Sequence, residues 1–312
     1  MTRDIPTKVQ TFSFGLILFI SIVSYAPKVQ AAACCMSATS FGTGRLLNWE
    51  AFAVGIRSTL LKGLGYWDTQ SRWQDYSGYS ELEWRSELWT IIGLSRRGSV
   101  QLRLPFSLNS RTSGSSTEWG MGISDLQLGG RYEILSIGEY RYLPAIAVQL
   151  NVTIPTGRGT HQAKNMLGTD VTGRGFWAIG AGLTLEKAFS PLFIQLVLAT
   201  QVPLPSHRED LGTSQQFGVL VQGMLIGGIE FTEGLVLSVL LRGNREGALS
   251  INGQEQMNSS RVDLGAALAI SWRFTPHWTV QTSIDSGLYT HGWGDNQPGR
   301  ITWNLGLRYG YF

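Results

Sequence analysis

The chain has 312 residues, a formal net charge of +3, 38 glycines and an aromatic content of 11%. Only 15% of its residues are charged, against about 25% in ordinary soluble domains. That balance argues against a nucleic-acid binder, since the sequence has no basic block and no binding motif, and no stretch after the first thirty residues reads as a transmembrane helix.

The first segment reads as an export signal. Arg3 and Lys8 precede an apolar run from Phe12 to Ala26, Pro27 breaks it, and Ala31-Ala32-Ala33 supplies small residues for cleavage. Removing residues 1–33 takes away three basic residues and one acidic residue, leaving a net charge of about +1. The mature chain would then begin with a short segment, 34–45, followed by one domain over 46–312. Cys34 and Cys35 are the only cysteines. Cys34 is a candidate for lipidation, although Ala31 stands where a larger aliphatic residue is usual. The alternative is a pair of accessory thiols in an oxidising compartment.

Beyond the leader, twelve stretches alternate apolar with polar or small residues. Their expected bounds are 46–58, 79–94, 99–108, 121–135, 141–155, 175–187, 191–202, 215–230, 235–244, 260–273, 278–290 and 300–311. The second is the clearest: Leu82, Trp84, Leu88 and Ile92 interleave with Glu81, Glu83, Arg85 and Glu87. Successive side chains on a strand point to opposite faces, so one face is apolar and the other ionic. The connections alternate too. Tight turns are expected at 95–98, 136–139, 188–191, 231–234 and 274–277, and longer loops at 59–78, 109–120, 156–174, 203–214, 245–259 and 291–299. Short turns alternating with long loops, and an even strand number, describe an all-β, transmembrane, antiparallel up-and-down barrel of about twelve strands in the outer membrane.

Facing follows from the alternation. Val100, Leu102, Leu104 and Phe106 point to lipid on the third strand, while Gln101 and Arg103 point inward. Leu126, Leu128, Tyr132 and Ile134 point out on the fourth, with Asp125, Gln127, Arg131 and Glu133 inside. The fifth places Tyr142 and Ile146 outside and Arg141 and Gln149 inside. Ala178, Gly180, Gly182, Leu220, Met224 and Leu240 give strands six to nine a drier interior. Twelve strands tilted by ~40° enclose a backbone radius of roughly 12 Å, between a filled eight-stranded barrel and an open sixteen-stranded one. The pore-lining candidates are Glu81, Glu83, Arg85, Glu87, Arg103, Asp125, Arg131 and Glu133. They either set the lumen field or fill it as ion pairs, with Glu83 or Glu87 beside Arg103 and Arg131.

The final strand reads Asn304-Leu305-Gly306-Leu307-Arg308-Tyr309-Gly310-Tyr311-Phe312. Asn304, Gly306, Tyr309, Tyr311 and Phe312 match the pattern by which the barrel-assembly machinery recognises outer-membrane proteins, and the aromatics also suit the membrane interface. Enzyme chemistry finds little support. His161, His207, His277 and His291 are scattered, none sits in a strand His-x-Ser pattern, and the sequence implies neither metal nor cofactor. His207 beside Glu209 and Asp210 reads as a solvated loop. Gly157-Arg158-Gly159 is a turn leaving the fifth strand rather than a nucleotide fingerprint. Tyr66, Trp67, Trp73 and Tyr76 in the first loop read as girdle and loop packing, or as a surface for sugars or aromatic solutes.

Two segments resemble a known family. Gly122-Ile123-Ser124-Asp125-Leu126-Gln127-Leu128-Gly129-Gly130-Arg131-Tyr132 and Leu150-Asn151-Val152-Thr153-Ile154-Pro155-Thr156-Gly157 are similar to the phenol-degradation meta-pathway family of outer-membrane proteins. Ser124 stands where that family more usually has glycine. The resemblance covers residues 120–312 and implies a transporter-like barrel taking up hydrophobic or aromatic compounds, with no catalytic residue to carry over. The expected protein is a monomeric, passive outer-membrane channel for small solutes, surrounded by lipid. The alternatives are a closed structural or adhesive barrel and an outer-membrane hydrolase.

Overall fold

The computed structural model describes residues 38–39, 42–208, 212–232, 234–288 and 294–312. The expected leader, Cys34, Cys35, Glu209, Asp210 and His291 lie outside the described residues. Twelve wall strands form, each antiparallel to the next. They are β1 (Phe52–Trp67), β2 (Tyr79–Gly93), β3 (Gly98–Ser113), β4 in two segments (Ser116–Ile123 and Leu126–Leu135), β5 (Ala145–Ile154) and β6 (Ala178–Phe189). Then follow β7 (Leu192–Pro203), β8 (Leu220–Thr232), β9 (Leu235–Glu246), β10 (Arg261–Arg273), β11 (Trp278–Gly287) and β12 (Gln297–Tyr311). β12 pairs with β1 from Gln297↔Trp67 to Tyr311↔Phe52, which closes the tube. Closure leaves neither terminal strand with a free edge.

The alternation fixes the facing. Leu82, Trp84, Leu88 and Ile92 of β2 and Leu102, Leu104 and Phe106 of β3 are exposed on the outside. Arg103, Glu87 and Glu81 are buried inside. A one-residue slip would put Arg103 into lipid, at roughly 2–4 kcal/mol for an arginine at mid-depth. Trp84, Trp177 and Trp303 mark the outer interface, and Phe189, Phe231, Trp272 and Phe312 the periplasmic one. Ala178, Gly180, Gly182, Leu220, Met224 and Leu240 share the inward register of their strands, as expected. That side is less dry than the sequence suggests, because Glu186, Gln195, Gln222 and Glu230 are buried there as well.

β4 breaks at Ser124 and Asp125. β3 pairs Phe106↔Ile123 above the break and Arg103↔Gln127 below it, so three β4 residues oppose two on β3. This is a bulge, and it flips the outward set from Trp119, Met121 and Ile123 to Leu128, Tyr132 and Ile134. Ser107 Oγ and Ser124 Oγ hydrogen-bond at 2.7 Å across it.

Several bounds need correction. The first wall strand is Phe52–Trp67, not 46–58. Leu46, Leu47 and Trp49 mimic a strand pattern but belong to a segment tucked into the barrel, and Tyr66 and Trp67 are strand rather than loop. The long loop expected at 109–120 is a tight hairpin at Gly114, which has φ +60. Asn109 to Ser113 are polar on both faces because this part of the wall rises past the lipid. The tight turn expected at 136–139 extends over 136–144. Arg141 and Tyr142 therefore lie in a turn, with the guanidinium 5.6 Å from the ring centroid, and not on opposite faces of a strand.

Candidate functional site

The lumen divides into three levels. At the top, the loop over residues 155–177 folds back against the inner face of β3 and β4. Asn109 Nδ2 donates to the carbonyls of Thr169 (2.9 Å) and Val171 (3.1 Å). Arg111 Nη1 donates to those of Leu167 (2.8 Å) and Gly168 (3.0 Å). The approach requires Gly120, since a Cβ there would lie 2.4 Å from the Thr169 backbone. Asp125 holds both arms of the loop, accepting from Gly157 N at 3.0 Å and Arg174 N at 2.7 Å. Asp170 holds the tip, accepting from Lys164 N at 2.9 Å, Asn165 N at 3.2 Å and Arg158 Nη1 at 2.7 Å. Burial pushes the Asp170 carboxyl up, but these donors outweigh it and hold it below the usual carboxylate range. Glu81 lies beside this loop, accepting from Arg111 at 3.0 Å and Arg300 at 3.4 Å.

The middle level is a chamber of about 620 Å³. It is lined by Arg57, Arg85, Arg103, Arg111 and Arg174 against Glu83, Glu87 and Asp125, so cations exceed anions. Glu87 accepts from Arg103 Nε at 3.0 Å and lies 3.6 Å from Arg57. Arg103 also donates to Gln127 at 2.9 Å. Glu83 pairs with Arg85 along the same strand. The Arg85 and Arg174 side chains stay 46% and 39% exposed, so their charge is presented to the space. Arg174 pairs with Glu246 and stacks over Phe176 and Phe217 at 5.2 and 5.9 Å. On the far wall, Arg242 is clamped by Asp285 at 2.8 Å and by Asp263.

At the bottom, residues 44–51 run across the periplasmic mouth. The Glu50 side chain is 0% exposed and forms a two-bond pair with Arg308, one contact at 2.7 Å. It also accepts from Leu47 N at 2.8 Å. Gly310 makes room, since a Cβ there would lie 1.9 Å from Glu50 Oε1. Arg45 approaches Glu133 at 4.0 Å, which Arg131 approaches at 3.8 Å. Leu46 packs on Ala53, Trp89 and Ile91, and Phe193, Ile226, Val236 and Ala269 cluster on the opposite wall. A cavity of about 360 Å³ remains between this segment and residues 94–99.

The eight pore-lining candidates thus separate by depth. Glu83, Arg85, Glu87, Arg103 and Asp125 line the central chamber, Glu81 lies above it, and Arg131 and Glu133 lie at the mouth with the N-terminal segment. The expected placing of Arg131 beside Glu83 or Glu87 is not seen, because Arg131 opposes Ser99 on β3, six residues below Pro105, which opposes Glu87. Arg57, Arg111, Arg174, Glu50 and Arg308 are among the lumen groups that the alternation did not single out, as are Arg242 and Asp285. Arg57 falls in the alternation of the first strand, and Arg111 joins that of β3 once its longer extent is recognised. Glu50 and Arg174 carry none, because they sit on irregular backbone. In the assembly pattern, Asn304 faces inward and accepts from Thr59 Oγ1 at 2.8 Å, while Tyr311 stacks on Phe52 at 5.1 Å and Tyr309 packs on Trp278. His277 Nδ1 lies 2.9 Å from the Gly310 carbonyl, a structural contact. Among the described residues no cluster of three or more metal-type ligands forms.

No protein-family model matches the chain, and no curated protein matches it. Solved structures do. The COG4313 outer membrane channel from Pseudomonas putida F1 superposes with a TM-score of 0.70 at 13% identity, covering 87% of this chain and 98% of that one. The translocator domain of the autotransporter NalP from Neisseria meningitidis gives 0.48 at 11% identity, covering 96% and 97%. The NanC porin gives 0.48 at 10%, covering 82% and 98%. The first likeness shows the fold, that of an outer-membrane β-barrel.

Proposed function

We propose that this barrel is a passive outer-membrane channel for small anionic solutes, including aromatic and amphipathic ones. The carrying observation is the central chamber, large enough for a small molecule and lined by five guanidiniums against three carboxylates. Fixed positive charge in a low-dielectric tube raises the local concentration of anions. Arg174 stacked on Phe176 and Phe217 offers an anion site beside an aromatic one, which suits the aromatic compounds implied by the family resemblance. The test is conductance in a planar bilayer under a salt gradient. An anion-selective reversal potential supports the reading, and an absence of conductance from both the intact protein and a variant with residues 44–51 replaced by a Gly/Ser tether defeats it.

A second reading is a closed structural barrel. It draws on the N-terminal segment across the mouth, with Glu50 held by Arg308. Under that reading, removing the segment leaves the lumen shut.

A further inference from the structure

A second concentration of cations stands at the periplasmic mouth, away from the central chamber. The cavity of about 360 Å³ there is lined by Arg45, Arg96, Arg97 and Arg131 against Glu50 and Glu133. Its volume falls within the range of small-ligand sites, roughly 300–1,000 Å³. Glu50 is already taken by Arg308 and by Leu47 N. Glu133 is then the one carboxylate of the lining left to face four guanidiniums, and its Oε2 already accepts from Ser136 Oγ at 2.9 Å.

The four cations come from three elements. Arg45 belongs to the segment across the mouth, Arg96 and Arg97 to the turn between β2 and β3, and Arg131 to β4. The Arg45 and Arg131 side chains are each 10% exposed, and both approach the same atom, Glu133 Oε1, at 4.0 and 3.8 Å. Those separations exceed hydrogen-bond length. Arg97 is fixed by Glu139 at 2.9 Å and by the Ile134 carbonyl at 3.1 Å. Arg96 is exposed and forms no ion pair among the described residues. Trp49 and Leu94, 52% and 70% exposed, give the cavity an apolar rim.

The spread of donors selects the ligand. A carboxylate has two oxygens, which a single guanidinium fork can occupy. A phosphate has more, so forks arriving from different directions can each take their own. We propose that this vestibule binds a phosphate group, which bridges Arg45 on the mouth segment to Arg96 and Arg131 on the wall. The group is carried by a phospholipid of the periplasmic leaflet or by a soluble phosphate. Its binding fastens residues 44–51 at the end that Glu50 does not reach. By reciprocity, the docked segment completes the site.

The test is calorimetric titration of the folded, full-length protein in detergent with inorganic phosphate and, separately, with dihexanoylphosphatidylglycerol. Phosphate is expected to bind, and R45Q and R96Q, one on each side of the gap, should each weaken it by about tenfold, the loss of one charge-assisted bond. Trypsin cleavage after Arg45 should slow when phosphate is added to the unaltered protein and stay unchanged in R96Q. Tighter binding of the short-chain lipid than of phosphate, with the difference removed by L94S, supports a headgroup of the leaflet. Equal binding of the two supports a soluble phosphate. Absence of phosphate binding, binding that either arginine variant leaves intact, or cleavage indifferent to phosphate overturns the bridge. Binding lost in R85E/R174E but kept in R45Q and R96Q assigns the phosphate to the central chamber and overturns the vestibule.

Discussion

Replacing Glu50 with alanine is the sharpest perturbation of the periplasmic mouth. Glu50 is wholly enclosed, meets Arg308 through both carboxylate oxygens, and also receives Leu47 N. Removing one partner of such a pair leaves the other charge buried and uncompensated, at roughly 3–5 kcal/mol. The other fastenings of residues 44–51 are the Arg45 approach to Glu133 at 4.0 Å, the packing of Leu46, the burial of Leu47, and two backbone bonds of Ala51, to Tyr311 at 2.7 Å and from Gly93 at 2.8 Å. A loss of that size shifts the ratio of docked to undocked segment by about two to four powers of ten. E50A should therefore raise the undocked share of the segment and, with it, the conductance. The assay is single-channel conductance, with the heat-modifiable shift on electrophoresis confirming a folded barrel. Conductance is expected to rise toward that of the variant carrying a Gly/Ser tether in place of residues 44–51. R308A should act in the same direction, and E50A/R308A should cost less stability than the two single changes together, because neither charge is then stranded. Folded E50A protein with unchanged conductance, beside a tethered variant that conducts more, would refute the account of Glu50 as the fastening.

Three further outcomes follow from the same geometry. Arg85 and Arg174 present the most solvent-accessible charge in the chamber, so R85E/R174E should move the reversal potential in a salt gradient from anion toward cation selectivity, with the sign of the shift as the readout. Asp170 has a depressed pKa, so its hold on the loop tip is complete above the ordinary carboxylate range near pH 4 and is lost as pH falls through the depressed value. Proteolysis at Lys164 should be flat from pH 5 to 8 in the unaltered protein, judged with a protease active over that range, and faster in D170N throughout. G120V puts side-chain atoms where the Thr169 backbone lies, so it should dislodge the loop and raise conductance; an unchanged channel would show that the loop does not narrow the mouth.

Several features of this barrel were legible from pattern because the bilayer imposes a period of two on everything it touches. Leu102, Leu104 and Phe106 against Gln101 and Arg103 could be assigned to faces with no coordinates, since the wrong face would cost too much. Legibility failed where lipid no longer enforced the period. Asn109 to Ser113 are strand above the membrane, polar on both sides, and so resemble a loop. Leu46 to Glu50 carry apolar residues into the mouth and so resemble a strand. The candidate site suffered in the same way: Glu83, Arg85, Glu87 and Arg103 were found on regular strands, while Glu50 and Arg174 were not.

The order of residues alone determined the closed antiparallel tube, its strand count and the side of the wall on which each mid-strand charge stands, because alternation against a bilayer tolerates no other register. Only the tertiary structure decided at what height those charges meet. The bulge at Ser124 and Asp125, the loop folded inward onto Asn109 and Arg111, and the clasp of Glu50 by Arg308 join residues up to 258 positions apart. Such meetings depend on how the tube closes and how irregular backbone fills it, and no local pattern encodes them.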